Sequence, residues 1–388
     1  MRDEPAPPRD ATLGVEEEFL IADPVRLEPV AAVPDILHTL SEQAVAADLK
    51  PELLASQVEA ATGVCGSLAA VRAQLAQSRR VLAEAAAAHG AVVLSTGFAP
   101  DSSDGVAHEV SAGERYRRVG DLYQAVATDY SACGCHVHVG IGDRDTAVAV
   151  VNHLRPWLPT LLALSANSPF AGGRDTGYAS WRTVTQCRFP GFGVPPWFAD
   201  LAAYEEALAR RSDLGITVDS RMTFWCARPS EHVPTVEVRV ADALATVDET
   251  VLQAGLVRAL VVRAQMDLKA GREAPPGDPF VAEAAMWSAA RYGLEGPAVD
   301  PVSERRVPAD RLLDALLAHV EDALTETGDR DEVFGLVAAV RSAGNGARRQ
   351  RVAAAAGGIR GAAELVTLRP ESTELAVTDG AVTDGRLR

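Results

Sequence analysis

Residues 14–19 read Gly14-Val15-Glu16-Glu17-Glu18-Phe19, inside a stretch whose apolar and polar residues alternate from Thr12 to Ala22. Alternation of this kind predicts a β-strand. Strand side chains point to opposite faces in turn, so Glu16 and Glu18 share one face while Val15, Glu17 and Phe19 share the other. Two carboxylates then lie side by side, which is unfavourable unless water or a cation screens their repulsion. Taken alone, the stretch is read equally well as a cation-binding pair or as a solvated edge strand.

Four further segments alternate in the same way: Ser56 to Thr62, Val92 to Thr96, Gly134 to Ile141 and Thr235 to Ala241. In Thr235-Val236-Glu237-Val238-Arg239-Val240, Glu237 and Arg239 face one way and three valines the other, toward an expected layer of helices. Gln57 and Glu59 repeat the pattern, with Glu52 just upstream. Cys133-Gly134-Cys135-His136-Val137-His138-Val139 offers two thiols and two imidazoles, a zinc-like set. Alternation separates them, however, placing the cysteines with the valines and His136 and His138 on the opposite face. The cysteines are therefore read as buried apolar fillers. Recurrence on several strands predicts one sheet face bearing Glu16, Glu18, Glu59, His136, Glu237 and Arg239. Such a carboxylate face suits Mg²⁺ or Mn²⁺ bound together with a polyphosphate.

Helical patterns fill the gaps. Leu68, Val71, Leu75 and Leu82 recur at helical spacing between Ser67, placed to cap the start, and Gly90, placed to stop the end. Thr246-Val247-Asp248-Glu249 is a capping-box pattern ahead of an apolar run to Lys269, with Gly271 beyond it. Asp145 to Ala166 is expected to break or kink at Pro156 and Pro159. Asp310 to Leu324 and Glu332 to Arg341 add helices. Strands separated by whole helices, with no glycine fingerprint after the first strand, indicate an α+β domain rather than a dinucleotide-binding one. Two polar, glycine- and proline-bearing segments, Pro100 to Arg115 and Ser168 to Pro196, are candidate lids or substrate loops. Residues 1–11 and 371–388 are expected to be mobile tails around a single catalytic domain, 12–370.

The 388 residues include 37 Lys plus Arg against 53 Asp plus Glu, a formal charge of −16, which disfavours a nucleic-acid partner. Lysine occurs only at Lys50 and Lys269, and neither precedes a serine or threonine, so no phosphate-binding P-loop is present. A kinase lysine or a pyridoxal Schiff base is equally improbable. Phosphate would have to be handled by arginine forks and carboxylate-held metal ions. Five cysteines and a charged, proline-rich start without an apolar signal core suggest the cytoplasm. No apolar stretch is long enough for a membrane span.

Taken together, GVEEEF (Gly14 to Phe19), SQVEAATGVC (Ser56 to Cys65), CGCHVHVGI (Cys133 to Ile141), LSANSPF (Leu164 to Phe170), GRDTGYASWR (Gly173 to Arg182) and PTVEVRVAD (Pro234 to Asp242) carry a resemblance. In this order the chain resembles the carboxylate-amine ligases related to glutamate-cysteine ligase type 2, which have a glutamine-synthetase-like fold: a curved antiparallel sheet with helices on its outer face. The resemblance implies that ATP phosphorylates a substrate carboxylate and that an amine then displaces phosphate to leave an amide. It implies Glu16, Glu18, Glu52, Glu59 and Glu237 as holders of the metal ions, with His136 as ligand or phosphate contact and His138 beside the nucleotide. Arg239 would stabilise the transferring phosphoryl group, and Arg182 would grip the substrate carboxylate or a phosphate. Small carboxylic acids and amines are the implied partners, glutamate and cysteine the reference pair, and a homo-oligomer fits the base rate for such enzymes. Two positions depart from the family pattern. Trp225-Cys226-Ala227-Arg228 stands where Trp-Asp-Val-Arg is usual, and Ala284-Ala285 where Glu-Asn commonly precedes the tryptophan, here Trp287. Both are expected to bear on substrate choice, and Cys226→Asp to alter it. The competing expectations are a metal-dependent amide hydrolase and a non-catalytic nucleotide-binding relative.

Overall fold

The computed structural model describes residues 11–42, 48–100, 108–219 and 222–369. The predicted tails, apart from Ala11, and the middle of the first candidate lid lie outside the described residues. The first half of the chain runs β1 (Leu13–Ala22), α1 (Val33–Glu42), β2 (Asp48–Pro51), β3 (Gln57–Ala61), α2 (Leu68–Ala88), β4 (Val92–Leu94), α3 (Glu114–Tyr123), α4 (Ala125–Thr128), β5 (Gly134–Gly140), α5 (Arg144–Leu154) and α6 (Leu158–Ser165). It continues with β6 (Phe170–Ala171), β7 (Arg174–Asp175), α7 (Trp181–Gln186), α8 (Leu201–Asp213), β8 (Ala227–Pro229), β9 (Thr235–Asp242) and α9 (Val247–Lys269). The last elements are α10 (Pro279–Tyr292), β10 (Pro297–Asp300), β11 (Arg305–Pro308), α11 (Ala309–Thr327), α12 (Arg330–Ala343) and α13 (Gly346–Val366).

The main sheet has the order β2-β3-β1-β5-β9-β8, with β4 also paired to β1, and every pairing is antiparallel. All five strands expected from alternation are present. The short strands β2 and β8, one at each edge, carry prolines and escape a periodicity reading. One sheet face is apolar as expected: Leu13, Val15, Val137, Val139, Val236, Val238 and Val240 join a single core cluster with residues of α2, α5, α6, α9, α11 and α12. Helix α9 lies through the middle of this layer and is buried nearly all round, which explains its lack of a polar stripe. Its capping box forms as the sequence indicates, with Thr246 accepting from the Glu249 amide and the Glu249 side chain accepting from Thr246.

Ser67 caps α2 and accepts from the Ala70 amide, and Gly90 follows its C-terminus with φ +69°. The Pro156–Pro159 region breaks as expected, into α5, a 3₁₀ turn over 155–157 and α6. Four of the five cysteines are buried; Cys135 joins the main core, and Cys133, ahead of β5, packs in a smaller cluster with Leu20, Leu94 and Ala243. Among the described residues no helix is long and apolar enough to cross a membrane.

The apolar face holds one surprise. Glu17, grouped by alternation with Val15 and Phe19, is buried there and is bound by Arg79 of α2 in a two-pronged pair at 2.5 and 2.9 Å. Thr250 of α9 donates to the same carboxylate at 2.7 Å. Arg79 also donates to the carbonyls of Leu244 and Ala245, just after β9. A buried ion pair persists only when its remaining hydrogen bonds are satisfied in this way. The result ties the middle of β1 to the end of β9 from beneath.

Candidate active site

The strand register decides which polar side chains meet. Glu18 pairs with Glu59 across β1 and β3, and Lys50 of β2 lies opposite Glu59. Glu16 pairs with His136 across β1 and β5, His138 with Glu237 across β5 and β9, and Arg228 with Glu237 across β8 and β9. A bulge follows Cys135, where β9 uses one residue more than β5. It lies one residue from Asp242 at the end of β9 and re-aims the strand between Glu237 and that end. Opposite charges from six strands thus converge on the non-core face.

Glu16 lies between the two imidazoles, 3.1 Å from His136 Nδ1 and 3.4 Å from His138 Nε2. Burial would raise its pKa, but the hydrogen bonds and charges of His136 and His138 outweigh burial and hold the carboxyl well below the usual range. Glu237 behaves likewise. Burial opposes its ionisation, yet the guanidinium groups of Arg239 and Arg228, the latter at 2.8 Å, keep it strongly acidic. Arg239 in turn is raised above its ordinary value, because Glu237, Glu18 and Glu16 outweigh its desolvation. Across the face the order reverses. Glu52 is pushed up to about 8 by burial and then by Glu18, and Glu59 to about 9 by burial and then by Glu16.

Glu16, His138 and Glu237 each offer a ligand atom, all within 4.8 Å of one another, a spacing fit for one cation. The donor set also fits chemically. His138 Nδ1 sits 2.9 Å from the Thr235 hydroxyl, and its buried Nε2 faces the Glu16 carboxylate at 3.4 Å. If Nδ1–H donates to Thr235, a lone pair is left at Nε2 facing Glu16, the usual way a second hydrogen bond orients a ligating imidazole. The compact trio therefore contains His138, which the sequence reading placed beside the nucleotide, and not His136, which that reading placed among the ligands. His136 is 3% exposed and lies between Glu16 and Glu18, the latter 3.5 Å from Nε2. Glu18 also accepts from the Gly134 amide at 2.6 Å. Alternation cannot tell the two histidines apart, because both point to the same face; the register against β9, which sets His138 opposite Glu237, does.

Arg182 stands apart from this group. It is 2% exposed, and its guanidinium donates to the backbone carbonyls of Arg239 and Val240, 3.8 Å from Asp242. Asp242 collects the Asn167 amide and the Ser168 and Ser180 hydroxyls at 2.7–2.8 Å, and burial raises its pKa. The sequence reading missed this hub, although Asn167-Ser168, Ser180-Arg182 and Asp242 all fall within its quoted motifs. The second candidate loop is thus partly built structure, anchored on β9. Cys226 lies in the main apolar core, where burial lifts its thiol to about 12. Ala285 packs between α6 and the β10–β11 hairpin, where Pro159, Thr160, Ala298 and Ala309 surround it.

The Glutamate-cysteine ligase family 2 (GCS2) profile matches residues 12–368. A Saccharopolyspora erythraea protein with the provisional name glutamate–cysteine ligase 2-2 is 52% identical over 365 residues, 93% of this chain and 92% of its own length. Among solved structures, the glutamate–cysteine ligase of Francisella tularensis in complex with AMP gives a TM-score of 0.70 at 13% identity, over 93% of this chain and 88% of that one. A bifunctional glutathione synthetase from Pasteurella multocida gives 0.65 at 14% identity, covering 92% of this chain and 52% of its own. At such identities the two structures speak for the shared glutamine-synthetase-like fold alone. The match along nearly the whole sequence settles descent: the chain belongs to the glutamate-cysteine ligase family 2.

Proposed function

We propose that the protein is an ATP-dependent carboxylate-amine ligase that joins glutamate and cysteine, or a closely related acid and amine, through an acyl phosphate. The observation that carries this reading is the convergence of Glu16, His138 and Glu237, flanked by Arg239 and Arg228, on one sheet face of a family member. In the reaction a carboxylate oxygen attacks the γ-phosphorus of ATP and ADP leaves. The amine nitrogen then attacks the acyl carbon, phosphate departs, and the nitrogen loses a proton. Neither step needs a protein nucleophile; both need orientation and charge neutralisation.

Magnesium or manganese, when bound, would neutralise phosphate oxygens. Glu16, His138 and Glu237 are assigned to hold it, with Glu18, Glu52 and Glu59 forming the opposite acidic wall for a further ion. Arg239, cationic at any working pH, is assigned to the transferring phosphoryl group. His136 is assigned to orient Glu16 and Glu18. Arg182, engaged by backbone carbonyls, is assigned to brace Arg239 and the Asp242 hub. We place the single catalytic domain at 12–370 and the protein in the cytoplasm, where five free thiols suit a reducing medium.

The test is phosphate and ADP release by purified protein over paired acids and amines, with release expected only when both partners are present. Amide cleavage without ATP would select the hydrolase reading instead. Glu16→Gln keeps the volume and removes one charge from the trio; turnover is expected to fall by at least about a hundredfold with the fold retained. Unchanged turnover would remove Glu16 from the site.

A further inference from the structure

A cavity of about 450 Å³ opens on the helical side of the molecule, away from the carboxylate face. The end of α5, the 155–157 turn, the end of α9, segment 272–278 and the start of α10 enclose it, and no residue of the main sheet lines it. Its wall is apolar: Trp157, stacked on His319 with ring centres 4.7 Å apart, together with Pro156, Pro276 and Val302. Within this wall sits Arg155, 8% exposed, donating to the carbonyl of Pro195 at 2.9 Å and to that of Pro276. No carboxylate pairs with it among the described residues. Burial alone acts on its guanidinium, lowering its pKa. Asp267, in the same cavity, is already matched by Arg263 and Arg272. Glu273 and Glu304 line the cavity as exposed residues with no ion pair among the described residues. The cavity thus combines a buried positive charge lacking a counter-charge, an apolar wall and an acidic rim.

We propose that this cavity binds a free α-amino acid with an apolar side chain, its carboxylate on Arg155, its ammonium toward Glu273 and Glu304, and its side chain against Trp157. A buried cation without a partner is costly, and a bound carboxylate removes that cost. A purely anionic ligand would meet the acidic rim, and a purely cationic one would leave Arg155 unmatched. The volume is within the range of small-ligand sites. The test is isothermal calorimetry of the full chain with L-phenylalanine, 3-phenylpropionate and phenethylamine as probes. L-phenylalanine is expected to bind at least about tenfold more tightly than either analogue, each lacking one charged group. Arg155→Gln is expected to abolish that preference over phenethylamine. Because Arg155 also holds two loop carbonyls, Ala282→Trp serves as a second variant that fills the cavity without touching them, and it is expected to weaken L-phenylalanine at least about tenfold. No binding at millimolar L-phenylalanine, equal binding of either analogue, or full binding by Ala282→Trp would each overturn the proposal.

Discussion

Divalent cation binding should release protons, and the carboxylate face sets how many. Without a cation, burial and neighbouring carboxylates hold Glu52 at about 8 and Glu59 at about 9, so both are protonated near neutrality. A cation that draws on both must displace both protons. Treating the two as independent, apparent affinity should rise roughly 50-fold between about pH 7 and about pH 8 if both are displaced, and roughly five- to tenfold if one is. The linked effect on stability has a fixed sign. A carboxyl raised from 4.5 to about 8 binds its proton more tightly in the folded chain, so its stabilising contribution is complete below 4.5 and is lost as pH rises through about 8. The metal-free protein should therefore weaken toward alkaline pH, and Mg²⁺ or Mn²⁺ should restore it most strongly there. Calorimetry of Mg²⁺ binding in buffers of unlike ionisation enthalpy counts the released protons directly. The Glu52→Gln, Glu59→Gln double variant separates them from a proton leaving His138, whose pKa burial would lower but Glu16 and Glu237 together raise. Affinity independent of pH across this window, or proton release unchanged in the double variant, would refute a role for Glu52 and Glu59 beside the cation.

Three other perturbations probe the scaffold beneath the site. Glu17→Gln leaves the buried Arg79 guanidinium without its partner's charge, at a cost of about 3–5 kcal/mol. With roughly 2 cal/mol/K of unfolding entropy per residue over 388 residues, scanning calorimetry should show Tm lower by about 4–6 °C, and an unchanged Tm would mean the pair contributes little. Gly97→Ala would set a Cβ about 2.5 Å from the Asp242 carboxyl carbon, so the hub must shift; a loss of about 1–3 kcal/mol in urea unfolding is expected, and none would show that Asp242 has room to move. Cys226→Asp buries a carboxylate in the apolar core, so destabilisation by several kcal/mol is expected in place of the altered substrate preference that the family pattern suggests. Wild-type stability with a changed substrate profile would reverse that conclusion.

Much of this architecture is legible from strand alternation and helix punctuation. Ser67 and Thr246 announce their helices because a cap is a local hydrogen bond between residues three apart, and the valines of β9 announce the core because alternation is local too. What escapes is non-local. Arg79 lies 62 residues from Glu17, and nothing in either segment names the other. Helix α13 hides behind Gly357 and Gly358, whose non-helical angles kink it midway. Helix α10 has a locally legible start, with Asp278 as cap and Pro279 in its first turn.

The candidate site shows why knowing the face is less than knowing the chemistry. Glu16, Glu59 and Glu237 share a residue type, an alternation pattern and one side of one sheet, yet their environments drive them in opposite directions. Glu237 has Arg228 across the ladder and Arg239 two residues on, while Glu59 has Glu18 directly opposite and the single Lys50 to offset it. Lateral register, set by strands distant in sequence, therefore divides the face into a half around Glu16 and Glu237, whose carboxyls are held well below the usual range, and a half around Glu52 and Glu59, whose carboxyls are pushed above it. If both halves bind metal, the first should fill at lower pH than the second, and Glu59→Gln, which removes one of the protons the second step must release, should make that step less dependent on pH and leave the first unchanged.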